Sequence, residues 1–440
     1  MIYSVVLSLF SLFFCCFEST ALALDFKQSL HLALENSQAL HALESEYLVT
    51  TYKEKNNFSS LLPKLALQTT HGYQDEFHHK SNVHNWVSNF SLQLSEKFYD
   101  NGVTFIAIRN ASLSQKISEK KIILEKNKLC YNLLQQYLDY SYLAQTLLIE
   151  EESLALLKKQ FSHTSTLYQQ GLKTKLDYLR LKGELQKTEI GLLSLKSAIA
   201  KSKLDLATSL NPQELLHQEF TPLTIPTSVK KMIFPTFSSK QSLQYQQGAI
   251  AQEVHENNVI LARKKLRPEF YLDATSTYST KDYLGEHRNG SFRHNESLDW
   301  SILLTVKFTL WDWGISQREH KIAVEEKYQQ STQLTQELSD LARDLEKMRV
   351  QYEQIFQQYK LNYDLYKLEE DNFSNLYDDY RNGRVSYLDM ITALRTKTAT
   401  KKEFYSSITE LQKTIASIYY YQGILYDKVV KDNSTATLFY

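Results

Sequence analysis

Three groups of residues in this sequence have types that do chemistry elsewhere. His71, His78, His79 and His84 crowd into one short stretch, and neutral imidazole is a common metal ligand. Their spacing matches no standard site, so no metal is expected there. Gly171-Leu172-Lys173-Thr174 has the outline of a phosphate loop, but such a loop needs an earlier glycine five residues ahead and Lys directly after the second. Position 166 is Thr and Leu172 intervenes, which removes that reading. Cys130 falls on an apolar helical stripe, where a packed small side chain is expected rather than a reactive thiol. No catalytic residue, cofactor or nucleotide site emerges, and 50 basic against 50 acidic residues give no push toward nucleic acid.

The elements around these residues must be long. The chain holds only 11 Gly and 6 Pro in 440 residues, about a third of average usage. Between Gly102 and Gly171 there is neither Gly nor Pro, and the same holds between Gly314 and Gly383. Both stretches are rich in good helix formers, and each predicts a helix roughly 100 Å long. Leu334, Leu338, Leu341, Leu345, Met348, Tyr352 and Ile355 make a heptad seam, as do Leu133, Tyr137, Tyr140, Ala144 and Leu147. Helical pattern resumes through Leu176 to Leu210 and Leu388 to Tyr426, so Gly171 and Gly383 are read as left-handed caps at hairpin tips. Shorter helices are expected at about 26–60 and 239–265.

The pattern occurs twice. Tyr168, Gly171, Leu176 and Asp177 recur with the same spacing as Tyr380, Gly383, Leu388 and Asp389. At the same offset Asp100 and Gly102 recur as Asp312 and Gly314, each pair preceded by an aromatic, Tyr99 or Trp311. Leu61, Pro63, Leu67 and Tyr73 recur at a slightly shorter offset as Leu266, Pro268, Leu272 and Tyr278. The division read from this is a first repeat at 24–210, a linker or irregular strap at 211–240 holding Pro212, Pro222, Pro226 and Pro235, a second repeat at 241–427, and a tail at 428–440. Residues 1–23 read as a cleaved secretory signal: Ile2 to Phe17 is uncharged and Ala21-Leu22-Ala23 is a small-x-small site. Cys15 and Cys16 suggest a lipoprotein signal instead, but bulky Phe13 and Phe14 precede them. Cleavage leaves a net charge of +1 and Cys130 as the single thiol, hence no internal disulfide.

Upstream of each long helix the period changes to two. Phe90, Leu92 and Leu94 alternate with polar residues, and so do Ile302, Leu304, Val306, Phe308 and Leu310. Earlier runs near 64–73 and 269–278 are expected to pair with them through polar loops, the second longer than the first. That makes four strands of about 9 to about 12 residues, the length that spans a bilayer when tilted. Tyr73, Trp86, Tyr99, Tyr278, Trp300, Trp311 and Trp313 gather near the expected strand ends, as membrane-interface aromatics do. Four strands cannot close a barrel, and lipid does not tolerate an open edge, so a membrane sheet requires several copies; a small soluble sheet is the other reading.

In order, the signal, the doubled helix–hairpin–long helix–return helix unit, the aromatic-Asp-x-Gly turns and the Y-x-x-G-x-x-x-x-L-D tips resemble the TolC-like outer membrane efflux proteins. Asp25 to Ser37 also resembles that family's helix start. The resemblance implies a mainly α fold with a small transmembrane β part: long coiled-coil hairpins forming an α-barrel, and four strands per chain in a trimeric 12-stranded β-barrel. It implies a homotrimer in outer membrane lipid of a Gram-negative bacterium, extending into the periplasm. There it would meet a periplasmic adaptor and an inner-membrane transporter, and serve as a passive duct for efflux or type I secretion, not as an enzyme. Implied adaptor contacts are Gly171, Leu172, Thr174, Gly383, Val385 and Ser386. Asp389 matches an acidic ring at the periplasmic mouth; Asp177 is its counterpart, and Thr392 stands where some members add a second acid. Asp100, Gly102, Asp312 and Gly314 make the strand-to-helix turns. The competing classes are a periplasmic adaptor, which usually has one hairpin and Gly-rich flanking domains, and a structural coiled coil, for which doubled tips have no reason. The terminal Leu438-Phe439-Tyr440 resembles a single-chain barrel signal but falls far beyond the last expected strand.

Overall fold

The computed structural model describes residues 23–78, 81–210, 218–232, 242–284 and 293–431. The signal segment up to residue 22, both ends of the Pro-rich segment and the tail from 432 lie outside the described residues. The elements run α1 (Phe26–Asn36), α2 (Gln38–Ser59), β1 (Lys64–His78), β2 (Ser81–Tyr99), α3 (Val103–Gln169), α4 (Lys175–Ser209), α5 (Leu243–Lys264), β3 (Glu269–Leu284), β4 (Arg293–Lys307), α6 (Ile315–Arg381), α7 (Tyr387–Tyr421) and α8 (Leu425–Lys431). The two breaker-free stretches are single helices of 67 residues each. No described helix is long and apolar enough to cross a membrane.

Two compact units take parts of both repeats. The first comprises residues up to Ala42, Ile122–Leu243 and the chain from Leu338 on. In it, α1 starts from a capping box in which Asp25 accepts from the Phe26 amide at 2.7 Å and the Gln28 side chain accepts from the Asp25 amide at 3.1 Å. Phe26 and Leu30 of α1 pack into a core with Leu134 and Tyr137 of α3, Tyr352 of α6, and Phe404, Ile408, Leu411 and Ile415 of α7. Residues 218–232 form no helix, because the prolines forbid one, so their backbone groups need other partners. Tyrosine and serine hydroxyls supply them. Tyr140 donates to the Phe220 carbonyl at 3.0 Å, Tyr359 accepts from the Val229 amide at 3.1 Å, Tyr352 from Met232 at 2.8 Å, and Ser141 from Leu223 at 2.7 Å. Leu24 adds a one-residue parallel bridge to Phe220. Cys130 is fully buried in this core, and burial pushes its thiol up to about 12.

The second unit, Leu43–Lys121 and Gln244–Glu337, carries one antiparallel sheet in the order β1-β2-β3-β4. Beside it, Arg109 of α3 grips Glu253 of α5 through two nitrogens at 3.0 and 2.6 Å, and Asn110 is bonded to both Asn257 and Asn258. Gly248 of α5 lets α6 approach closely: a Cβ there would sit 2.3 Å from Leu334 Cδ1.

The strands differ from expectation in three ways. They are 15, 19, 16 and 15 residues long, each longer than expected. Only residues 79–80 separate β1 from β2, and 285–292 separate β3 from β4, so the expected polar loops are largely strand. The ladder is built from backbone bonds and continues through polar residues that carry no apolar alternation. β4 ends at Lys307, leaving Phe308, Thr309 and Leu310 outside the sheet. Because the strands are longer than expected, Tyr73, Trp86, Tyr278 and Trp300 fall within β1, β2, β3 and β4 rather than at their ends.

Candidate functional site: a two-faced sheet and two helical tips

Register sorts the sheet residues onto two faces, since directly paired residues share a side. One face carries the rows Leu65–Leu94–Ala274–Ile302, Leu67–Leu92–Ser276–Trp300 and Thr69–Phe90–Tyr278–Leu298. The other carries Ala66–Gln93–Thr275–Ser301 and Gln68–Ser91–Thr277–Asp299. The first face is apolar and exposed, with Leu67 at 71% and Trp300 at 76%; the second is hydroxyl- and amide-lined. On it Ser91 and Thr277 are bonded at 2.9 Å, and Asp273 accepts from Ser95 at 2.5 Å and Thr305 at 3.1 Å. From Leu65 to Tyr73 the apolar face extends about 26 Å along the strand, or roughly 20 Å upright at barrel tilt, close to the apolar band of an outer-membrane barrel. Tyr73 and Trp86 pair edge to face across β1 and β2 at 6.2 Å.

Each long helix starts from an aspartate turn. Asp100 accepts from the Gly102 amide at 3.1 Å and the Thr104 amide at 2.9 Å; Asp312 accepts from Gly314 at 3.0 Å and Ser316 at 2.8 Å. Both glycines take positive φ, +79° and +76°. Burial alone would raise the Asp100 carboxyl, but the Thr104 hydroxyl, Lys97 and the Thr104 amide together hold it below its ordinary value. The Ser316 hydroxyl and amide, with smaller help from Gly314 and Ile315, lower Asp312 against a slight opposing effect of burial. The residue between Asp and Gly is also left-handed in both: Asn101 at +60° and Trp313 at +56°. Asparagine tolerates this; for tryptophan it is an outlier. Asn101 donates to the Pro268 carbonyl at 2.8 Å, whereas Trp313 is 79% exposed and touches only Trp311 edge to face at 6.0 Å among the described rings.

The two tips have the same geometry. Gly171 and Gly383 take φ +74° and +73°. The Leu172 amide reaches back to the Leu167 carbonyl and Arg384 to Asp379, both at 2.9 Å, the six-to-one bond of a Schellman cap. Thr174 and Ser386 then cap α4 and α7, accepting from the Asp177 and Asp389 amides at 3.1 and 3.3 Å. The same hydroxyls donate to those carboxylates at 2.8 and 2.6 Å.

Residues 29–212 match the sequence model of the family described as outer membrane efflux protein. The matched stretch is nearly the whole of the first repeat. No curated protein matches the sequence. Among solved structures the fold is similar to that of CusC, whose structures concern transmembrane channel formation (TM-score 0.77, 16% identity, 90% of this chain and 92% of that one). It is likewise similar to the CmeC outer membrane channel of Campylobacter jejuni (0.77, 15%, 92% and 88%) and to the outer membrane protein VceC of Vibrio cholerae (0.75, 14%, 90% and 96%). These likenesses span both repeats, so the second repeat has the efflux-protein fold as well.

Within this efflux-protein fold the expected tip residues fall into two loops: Gly171, Leu172 and Thr174 in one, Gly383, Val385 and Ser386 in the other. Leu172 is exposed and Val385 half-buried. Asp389 is exposed. The capping role of Asp177 and Asp389 was missed from sequence, although a Thr or Ser three residues ahead of an acid is a helix-start signal. Of the histidines, His71 bonds Ser88 at 2.9 Å on the apolar face; His79 and the side chains of His78 and His84 lie outside the described residues. Among the described residues no group of three or more His, Cys, Asp or Glu is placed to hold a metal ion.

Proposed function

We propose that this protein is the outer membrane exit duct of a tripartite efflux or secretion system. The observation that carries it is the sheet: one apolar face, one polar face, and two edges, on β1 and β4, that are unpaired among the described residues. Such a sheet fits a barrel wall between lipid and a water-filled lumen, and lipid requires that each edge find a partner. Three copies pairing β4 to the next β1 give twelve strands and no edge. Tyr73, Trp86, Tyr99, Trp311 and Trp313 then lie toward the borders of the apolar band, in the headgroup region. The protein sits in the outer membrane of a Gram-negative bacterium with its helices in the periplasm.

The remaining roles follow from this placement. The tips around Gly171 and Gly383 meet a periplasmic adaptor, which joins the duct to an inner-membrane transporter that supplies the energy. Passage is passive. Three exposed Asp389 carboxylates facing one another narrow the periplasmic mouth, disfavour anions and attract cations. The test is reconstitution into a planar bilayer, with gel electrophoresis of the unboiled protein. Ion-conducting steps and a trimer that dissociates on boiling are expected; a non-conducting, periplasmic soluble monomer would overturn the reading.

A further inference from the structure

The second β-hairpin stands on a patch of basic residues that the first lacks. From the end of α5 toward β3 the chain reads Arg263-Lys264-Lys265-Leu266-Arg267, and the opening of α6 adds Arg318 and Lys321. Three of these six cations are occupied. Lys264 donates to the Asn101 carbonyl at 2.6 Å, Lys265 pairs with Glu319 at 2.5 Å, and Arg318 donates to the Trp313 carbonyl at 3.2 Å. Arg263, Arg267 and Lys321 are exposed, and their side chains form no hydrogen bond or ion pair among the described residues. Arg263 and Lys321 line one shallow groove between α5 and α6, together with Leu266, Gln317 and His320. The Nε2 of His320 is buried there and has no hydrogen-bond partner among the described residues either.

The fold itself does not call for these charges. At the same stations of the first repeat stand Phe58 for Arg263, Leu62 for Arg267 and Arg109 for Lys321. Phe58 and Leu62 are exposed, at 60% and 58%, and Arg109 is neutralised by Glu253. The first repeat thus builds the same junction without an unpaired cation at these stations, and the second carries three that nothing inside the chain answers. Their level is set by the sheet. Phe270 and Val306 form the last paired row of its apolar face, and Arg267 follows Phe270 by three residues toward the helices, at most about 10 Å of chain. The polar headgroup layer beyond the hydrocarbon is about 5 Å to about 8 Å deep on each side of a bilayer, and a long Arg side chain extends its charged head into such a layer.

We propose that Arg263, Arg267 and Lys321 form a docking surface for the headgroups of anionic phospholipids at the periplasmic border of the membrane. The two guanidinium groups match the planar geometry of phosphate oxygens, Lys321 adds its charge from across the groove, and Leu266 offers an apolar contact to the lipid's glycerol end. The inference rests on the outer-membrane duct reading and names a partner of its membrane rim. Anionic leaflets attract basic side chains that stand at their surface, so the second repeat, and not the first, sets where such lipids gather around the protein.

The test is native mass spectrometry of the full-length protein in detergent micelles, titrated with phosphatidylglycerol, with zwitterionic phosphatidylcholine and with inorganic phosphate. Wild type should hold phosphatidylglycerol about tenfold more tightly than phosphatidylcholine, and Arg263→Gln combined with Arg267→Gln should remove that preference. Lys173→Gln combined with Lys175→Gln removes the same charge beyond the other end of α3 and should leave the preference unchanged. Circular dichroism checks that each variant keeps its helices. No preference in wild type, an equal loss in the Lys173 and Lys175 variant, or displacement of the lipid by inorganic phosphate would overturn the proposal, the last by showing a site for soluble anions. Single-channel currents keep the two readings apart: a conducting wild type without lipid preference defeats this inference alone, whereas a wild type that never conducts defeats the duct reading with it.

Discussion

The return helices α4 and α7 have the same length, 35 residues, and the same kind of start, a Schellman glycine followed by a hydroxyl cap and an aspartate at the third helical position. Yet α7 buries seventeen residues and α4 four. From Phe404 onward, α7 shares a core with α1, α3, α6 and the strap at 218–232, whereas α4 leaves Leu176, Leu179, Ile190 and Leu193 at least half exposed. The local code for helix start and turn is the same in both repeats; what differs is which neighbours arrive. Burial in this fold is thus set by where a helix lies in the chain's packing more than by the helix itself.

The contrast can be broken or sharpened by substitution. Phe404→Ala should cost about 3–5 kcal/mol, read by denaturant unfolding of the detergent-solubilised chain. Leu193→Ala should cost less than about 0.5 kcal/mol in the unassembled chain while weakening assembly; equal costs at 404 and 193 would remove the contrast. Gly171→Ala and Gly383→Ala should each cost roughly 1–2 kcal/mol, because both place a Cβ in the left-handed region, and unequal losses would show that the tips are not equivalent. Thr174→Ala and Ser386→Ala should cost about 1 kcal/mol each. In the entrance reading, Asp389→Ala raises conductance or removes divalent-cation block, and unchanged currents would refute it. The smallest effect is on pH dependence. The folded-state carboxyls of Asp100 and Asp312 are lowered from 3.8, so their contribution is present above that pH and fades as the pH falls through their lowered values. Asp100→Asn should flatten that acid limb of the stability curve.

Much of the helical architecture was legible because it rests on absences that sequence displays directly: a stretch without a breaker between two glycines becomes a 67-residue helix, twice. The tips were legible because the left-handed φ that Gly171 and Gly383 adopt is open to glycine without steric cost. Strand length was not, since the apolar period fades beyond Tyr73 and before Trp86 while the backbone ladder continues to His78 and Ser81. Nor was the union of the two hairpins through β2 and β3, which pairs residues of different repeats and leaves no local signal. Asp177 and Asp389 were read for their charge and not for their distance from Thr174 and Ser386.

Cys130 gives this molecule an internal clock. From Leu24 on it is the single thiol, fully enclosed where α3 meets the core, and its raised pKa makes the native side chain almost inert to alkylation. Labelling must wait for the core to open. Its rate therefore reports the population of opened chains, residue-specifically and without an added probe, so the same measurement ranks every core substitution by how often it lets the core shared by the two repeats open.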